Sequence, residues 1–223
     1  LEKDLHARDS DLVHARNALV LALAELVAHR DSESGSHLLR MQRYSRHLAE
    51  LAANSPAFAR QIDMNYVNML ECCAPLHDIG KAGIPDCILL KPGRLTADER
   101  RIMETHTTIG ATILEKVADR HPFARPFLRM AIDITRHHHE RFDGHGYPDK
   151  LVGEAIPLAA RIVAIADVYD ALRARRVYKP ALSHAEALAV MLDDSSGQFD
   201  PALLQIFRAG SDHFEQMYRR MEE

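Results

Sequence analysis

Apolar residues recur at three- and four-residue intervals along almost the whole chain, the period of a helix with one buried face. No alternating pattern long enough for a strand interrupts them. Breakers divide the segments: Ser34-Gly35, Ser55-Pro56, Gly80 to Pro85, Lys91-Pro92-Gly93, His121-Pro122, Asp143 to Pro148, Pro157 and Gly197. Thr96 and Glu99 form a capping box, which predicts the start of the helix carrying His106. The pattern predicts an all-α bundle over residues 31–223, with one further helix over residues 1–30.

In that first helix Leu5, Leu12, Leu19 and Leu26 recur every seven residues, the spacing of a coiled-coil seam. The companion positions Glu2, Asp9 and Arg16 are polar, so the seam strengthens only from Leu19, where Leu21, Leu23 and Val27 join. Residues 1–30 read as a stalk merging into the domain at 31–223, able to pair two copies of the chain. The alternative is a surface helix docked on that domain.

Polar residues sit in register with the buried stripes. His37 leads the series Met41, Tyr44, Leu48 and Leu51; Val67, Leu70 and Ala74 lead to His77. His106 lies between Ile102 and Ile109, Ile113; His138 follows Phe127, Ala131 and Ile134; Asp167 and Asp170 follow Ala160 and Val163. One histidine on an apolar face is more often a hydrogen-bonded core residue. Five helices doing so, with His77-Asp78 and His138-His139 as adjacent pairs, point to metal ligation, which removes the cost of burying carboxylates and imidazoles together. Glu33 stands four residues before His37, close enough to serve one metal. Nitrogen and carboxylate donors without thiolates favour Fe, Mn, Zn, Co or Ni over a structural zinc site. Two such ions bridged by Asp78 would hold a bridging hydroxide for attack on a phosphodiester. Lys81, one turn beyond His77, reads either as a group for a phosphate oxygen or as a solvated loop lysine.

Histidine is over-represented, with 14 among 223 residues, while a net charge of −4 gives no basic field for nucleic acid. No apolar run approaches the roughly 20 residues that span a membrane. Cys72, Cys73 and Cys87 form no CxxC pair and read as reduced thiols packed in the core of a cytoplasmic protein. The chain opens at Leu1 rather than Met, as expected for a piece of a longer protein.

Residues Arg141 to Pro148 are dense in turn formers and follow His138-His139-Glu140, which places them at the rim of the site, with Gly144 and Gly146 expected at positive φ. Beyond Asp167, Arg173, Arg175, Arg176 and Lys179 read as a helix-end cation cluster or as positive charge for an anionic substrate, the second being favoured.

These residues resemble the HD-GYP family, a branch of the HD metal-dependent phosphohydrolases. The match runs through His77-Asp78-Ile79-Gly80-Lys81, Ile84-Pro85-Asp86, Leu90-Lys91-Pro92-Gly93, Met103 to His106, His138-His139-Glu140-Arg141, Asp143-Gly144, Gly146-Tyr147-Pro148 and Ala166 to Leu172. The resemblance implies an HD-type helical bundle around a buried centre of two or three divalent metals. It implies hydrolysis of cyclic di-GMP to pGpG, and onward to GMP. By motif position His77, Asp78, His106, His138, His139 and Asp167 correspond to metal ligands, His37 to a further ligand, and Glu33 to the glutamate that accompanies a third metal. Asp78 and Lys81 carry the catalytic roles. Asp31, Lys81, Tyr147, Arg176 and Lys179 correspond to substrate-side residues. The Gly146-Tyr147-Pro148 loop implies contact with diguanylate cyclase (GGDEF) domains, and the family implies a receiver or other sensory domain upstream.

Two departures stand out. Lys150 occupies a position where the family carries glycine. His137 makes three histidines in a row, and reads as a residue behind the ligands, like Asp170, or as a helix-end cation. A sensor module that binds the dinucleotide without turnover, and a phosphodiesterase for cyclic GMP-AMP, are the alternatives.

Overall fold

The computed structural model describes residues 2–31, 35–174, 181–194 and 197–222, and these form helices and no strand. In chain order they are α1 (Glu2–Ala28), α2 (Gly35–Ala53), α3 (Met64–Cys73), α4 (Asp86–Leu89), α5 (Ala97–Glu104), α6 (His106–Arg120), α7 (Arg125–His137), α8 (Leu158–Arg173), α9 (His184–Ala189), α10 (Pro201–Ala209) and α11 (Ser211–Glu222). Helix α8 is the axis. Every residue from Ala159 to Ala166 is buried, as befits a helix that is apolar nearly all round. Helices α2, α7 and α10 pack on it, and α6 packs on α7.

Below the site the core is aromatic. Tyr44, Tyr169, Phe207 and Phe214 are fully buried, with Phe207 and Phe214 ring centroids 4.8 Å apart and Tyr44 5.4 Å from Tyr169. Each such ring contributes roughly 1.5–3 kcal/mol through burial. Arg173 is part of this packing rather than of the site. It pairs with Glu215, and its guanidinium lies 4.2 Å from the Tyr218 ring centroid, which corrects its reading as charge near the metals.

Two local breaks set the geometry of the His77-Asp78 segment. Asp63 caps α3 by accepting from Tyr66 N, and α3 ends where Pro75 cannot donate a helical hydrogen bond. The chain then continues as short 3-10 turns at Ala74–Leu76 and Ile79–Gly83, with His77-Asp78 at the bend between them. The second turn lies flat on α6. A Cβ at Gly80 would sit 1.8 Å from His106 O and 2.6 Å from Gly110 N, so only glycine permits the approach.

The Thr96–Glu99 capping box is present, but it starts α5, which ends at Glu104; His106 opens a separate helix. The predicted stripe is also corrected: Ile102 and Ile113 are exposed, and the buried face of α6 is His106, Thr107, Gly110, Ala111, Leu114 and Ala118. Small residues prevail there because the 79–83 turn comes so close.

Helix α1 has two apolar faces. Val20, Ala24 and Ala28 enter the main core, and the Arg16 guanidinium lies 4.7 Å from the Phe127 ring centroid. On the other side Leu12, Leu19 and Leu26 are 68%, 67% and 71% exposed. The side chain of Leu5 lies outside the described residues. The stretch Asp11–Asp31 has a mean hydropathy of 1.3 and is long and apolar enough to cross a membrane by length and composition only. Arg16 and Glu25 interrupt it. Cys72 and Cys73 are buried free thiols, whereas Cys87 is exposed and not packed in the core as expected.

Candidate metal centre

The bend after α3, the first turn of α2, the start of α6, the end of α7 and the middle of α8 converge. Two groups of donors result. Asp78, His106, His138 and His139 form one; His37, His77 and Asp167 form the other; within each, one donor atom per residue lies within 4.8 Å of all the rest. The seven residues are those the sequence singled out. The eighth, Glu33, lies outside the described residues, as do Arg175, Arg176 and Lys179.

Hydrogen bonds fix how the imidazoles point. His77 Nδ1 is 2.9 Å from Ala74 O, His106 Nδ1 is 2.7 Å from Met103 O, and His138 Nδ1 is 3.1 Å from Ile134 O. A carbonyl only accepts, so each Nδ1 carries the proton and each Nε2 turns its lone pair inward. His37 Nδ1 is held by Asp170 Oδ2 at 2.7 Å, and Arg40 binds both oxygens of the same carboxylate at 2.5 and 3.0 Å. Asp170 thus stands behind His37, a common arrangement for a metal-binding imidazole.

On the side of Asp78 Oδ1, the described residues turn only acceptors inward. His106 Nε2 and His138 Nε2 lie 3.2 and 3.6 Å from Asp78 Oδ1, and none of the three atoms makes a hydrogen bond. Lone pairs facing a carboxylate in a buried site repel unless a cation stands among them. Divalent metal suits this donor set of nitrogen and carboxylate oxygen. Burial alone would raise the Asp78 carboxyl; the Lys81 ammonium beside it overcomes this and holds the group well below its ordinary range. Burial pushes His138 down despite Asp78, and burial with His138 and His106 pushes His139 well down, leaving both in the neutral, ligating form at neutral pH.

Lys81 rides on the 79–83 turn, with Nζ 2.8 Å from Asp78 Oδ2 and 2.5 Å from Asp31 Oδ2. It is a largely shielded member of the site and not a solvated loop lysine. Tyr147 packs on His139, ring centroids 4.9 Å apart. Gly144 has φ 81°, but Gly146 does not need positive φ; its Cβ would fall 2.3 Å from Arg141 N, so close backbone approach explains that glycine. His137 faces away from the donor groups, with Nε2 3.0 Å from Asp149 Oδ2. Two residues escaped the sequence reading. Glu140 is buried and accepts from Asp149 N and Leu151 N, pinning the loop after Tyr147. Arg30 grips the 79–83 turn from outside. Neither has a periodic signal, though Glu140 lies within the recognised motif.

A family model described as HD domain matches residues 10–203. The chain is 45% identical over 210 residues to a Vibrio cholerae protein named cyclic di-GMP phosphodiesterase, covering 94% of this chain and 42% of that protein. It is 40% identical over 217 residues to the cyclic di-GMP phosphodiesterase response regulator RpfG of Xanthomonas campestris, covering 97% and 54% respectively. A 3'3'-cGAMP-specific phosphodiesterase 2 of Vibrio cholerae is 37% identical over 204 residues, covering 92% and 36%. The chain spans about half the length of the curated relatives it matches. Among solved structures, Bd1817, an HDG"Y"P protein from Bdellovibrio bacteriovorus, superposes with a TM-score of 0.57 at 19% identity, covering 91% of this chain and 64% of that one. That likeness shows the shared fold. With its helical bundle, its paired His and Asp donors and a matching family model across most of its length, the chain belongs to the HD domain family of metal-dependent phosphohydrolases, in its HD-GYP branch.

Proposed function

We propose that this domain hydrolyses cyclic di-GMP to pGpG, and onward to GMP, with divalent metal held by the two donor groups. The observation that carries the reading is Asp78: one oxygen faces His106 and His138 while the other lies 3.3 Å from His77 Nε2 and 2.8 Å from Lys81 Nζ. A single carboxylate therefore joins both groups to the Lys81 ammonium. The relatives named as cyclic di-GMP phosphodiesterases support the substrate.

His106, His138 and His139 with Asp78 would hold one metal, and His37, His77 and Asp167 with Asp78 the other; Glu33 would serve a third. Fe or Mn is the expected occupant. Bound metal supplies Lewis acidity toward phosphate oxygens and acidifies water. The protein's own part is to hold neutral imidazoles in one tautomer, to keep Asp78 ionised, and to present the Lys81 ammonium to a phosphate oxygen as charge builds on it. Asp31 sets where that ammonium stands, Arg176 and Lys179 receive the remaining phosphate, and Tyr147 walls the His139 side. Because Tyr147 is half-buried against His139, its position supports a role within the site over contact with a GGDEF domain. The exposed leucines of α1 support pairing of two copies.

Protein loaded with Fe(II) or Mn(II) under reducing conditions and assayed on cyclic di-GMP tests the reading. Turnover to pGpG is expected. No turnover with any metal overturns it, and tight binding without turnover assigns a sensor. Relatives named as cGAMP-specific make 3'3'-cGAMP the comparison substrate.

A further inference from the structure

Helix α1 ends in the 3-10 turn His29–Asp31, which reaches the outer side of the Ile79–Gly83 turn. Arg30 forks across that turn's exit: Nη1 donates to Ala82 O at 2.8 Å, and Nη2 donates to Ile84 O at 3.3 Å and to Asp86 Oδ1 at 2.6 Å. The next residue, Asp31, takes the turn's side chain, Lys81 Nζ, at 2.5 Å. Behind the turn, Gly80 lies flat against His106 and Gly110. The lysine-bearing turn is therefore clamped between α6 on one side and two consecutive residues at the end of α1 on the other.

We propose that Arg30 is a positioning residue for Lys81 and ties the outer helix α1 to the reacting centre. Its planar fork suits two carbonyls and a carboxylate at once, which a lysine cannot reproduce. Loss of the fork frees the end of α1, withdraws Asp31 from Lys81 and lets the ammonium leave Asp78. Any displacement of α1, whose outer leucines face solvent, then reaches Lys81 through Arg30 and Asp31. The catalytic consequence rests on the phosphodiesterase reading; the positioning itself does not.

The test is the rate of Lys81 acetylation by acetic anhydride in metal-loaded protein, read by peptide mass spectrometry, with exposed Lys150 as reference. Arg30→Ala should raise Lys81 labelling several-fold relative to Lys150, and Arg30→Lys should do nearly the same, while the buried thiols of Cys72 and Cys73 stay unreactive. Unchanged Lys81 labelling overturns the proposal. So does thiol exposure accompanying Lys81 labelling in both variants, because Arg30 would then support the fold at large. In turnover, Arg30→Ala should lower kcat with little change in KM and add nothing in a Lys81→Ala background. Additive losses overturn the coupling. Absence of turnover in the wild type removes the phosphodiesterase reading and leaves the labelling result to decide the positioning.

Discussion

Asp170 grips His37 Nδ1 at 2.7 Å while it neutralises buried Arg40, so one α8 carboxylate both aims an α2 ligand and balances an α2 charge. Both tasks fail when the carboxylate is truncated. Asp170→Ala leaves Arg40 buried without its partner, which should destabilise the metal-free protein by roughly 3–5 kcal/mol in urea unfolding. Asp170→Asn keeps an acceptor for His37 and should lose metal affinity at the His37 group by about 10–100-fold, measured by competition with a chromophoric chelator.

Asp78→Ala should abolish metal retention in both groups and, with it, hydrolysis. Elemental analysis of the desalted protein decides this, and a metal-replete, active variant contradicts the joining role. Glu33→Ala should cost at most one metal per chain, and unchanged stoichiometry argues for two metals in all.

Lys150 has φ 54°, a left-handed conformation that costs a residue with a Cβ about 1 kcal/mol. This explains why glycine suits the position. Lys150→Gly should raise stability by up to about 1 kcal/mol, reduced by the greater freedom of glycine in the unfolded chain, whereas Lys150→Val should lower it. Thermal unfolding of the two variants should move in opposite directions.

The Arg141 guanidinium, 2.7 Å from Asp143, draws that carboxyl down to about 2. An unfolded aspartate titrates near 3.9, so the native state favours the ionised form. The resulting stabilisation is complete above about pH 5 and is lost as pH falls through about 4 toward 2. The stability difference between wild type and Asp143→Asn should therefore be constant from pH 7 to about 5 and shrink between pH 4 and 3, followed by urea unfolding.

The helical class and the donors were legible because polar side chains on apolar stripes are conspicuous against a 3.6-residue period. His37, His77, His138 and Asp167 could be found in that way without any fold in view. The break at Thr105 was not legible: the capping box marks a start, and nothing comparable marks the end at Glu104. The exposure of Ile102 and Ile113 was hidden for a different reason. The inner face of α6 is built from Gly110 and Ala111 to admit the Gly80 turn, and small residues leave a faint periodic signal. Arg30 was invisible because it acts on backbone carbonyls more than 50 positions away, which no local pattern encodes.

The clasp between His37 and Asp170 joins positions 133 residues apart. A growing chain that has emerged only through α7 has three of the histidines in place yet lacks Asp167 and Asp170, so the His37 pocket cannot close. Metal capture in full thus waits for α8, and binding then stabilises only finished molecules, by RT ln(1 + [M]/Kd) for each site. In a cell poor in metal, the same arithmetic would leave completed chains easier to open and to degrade.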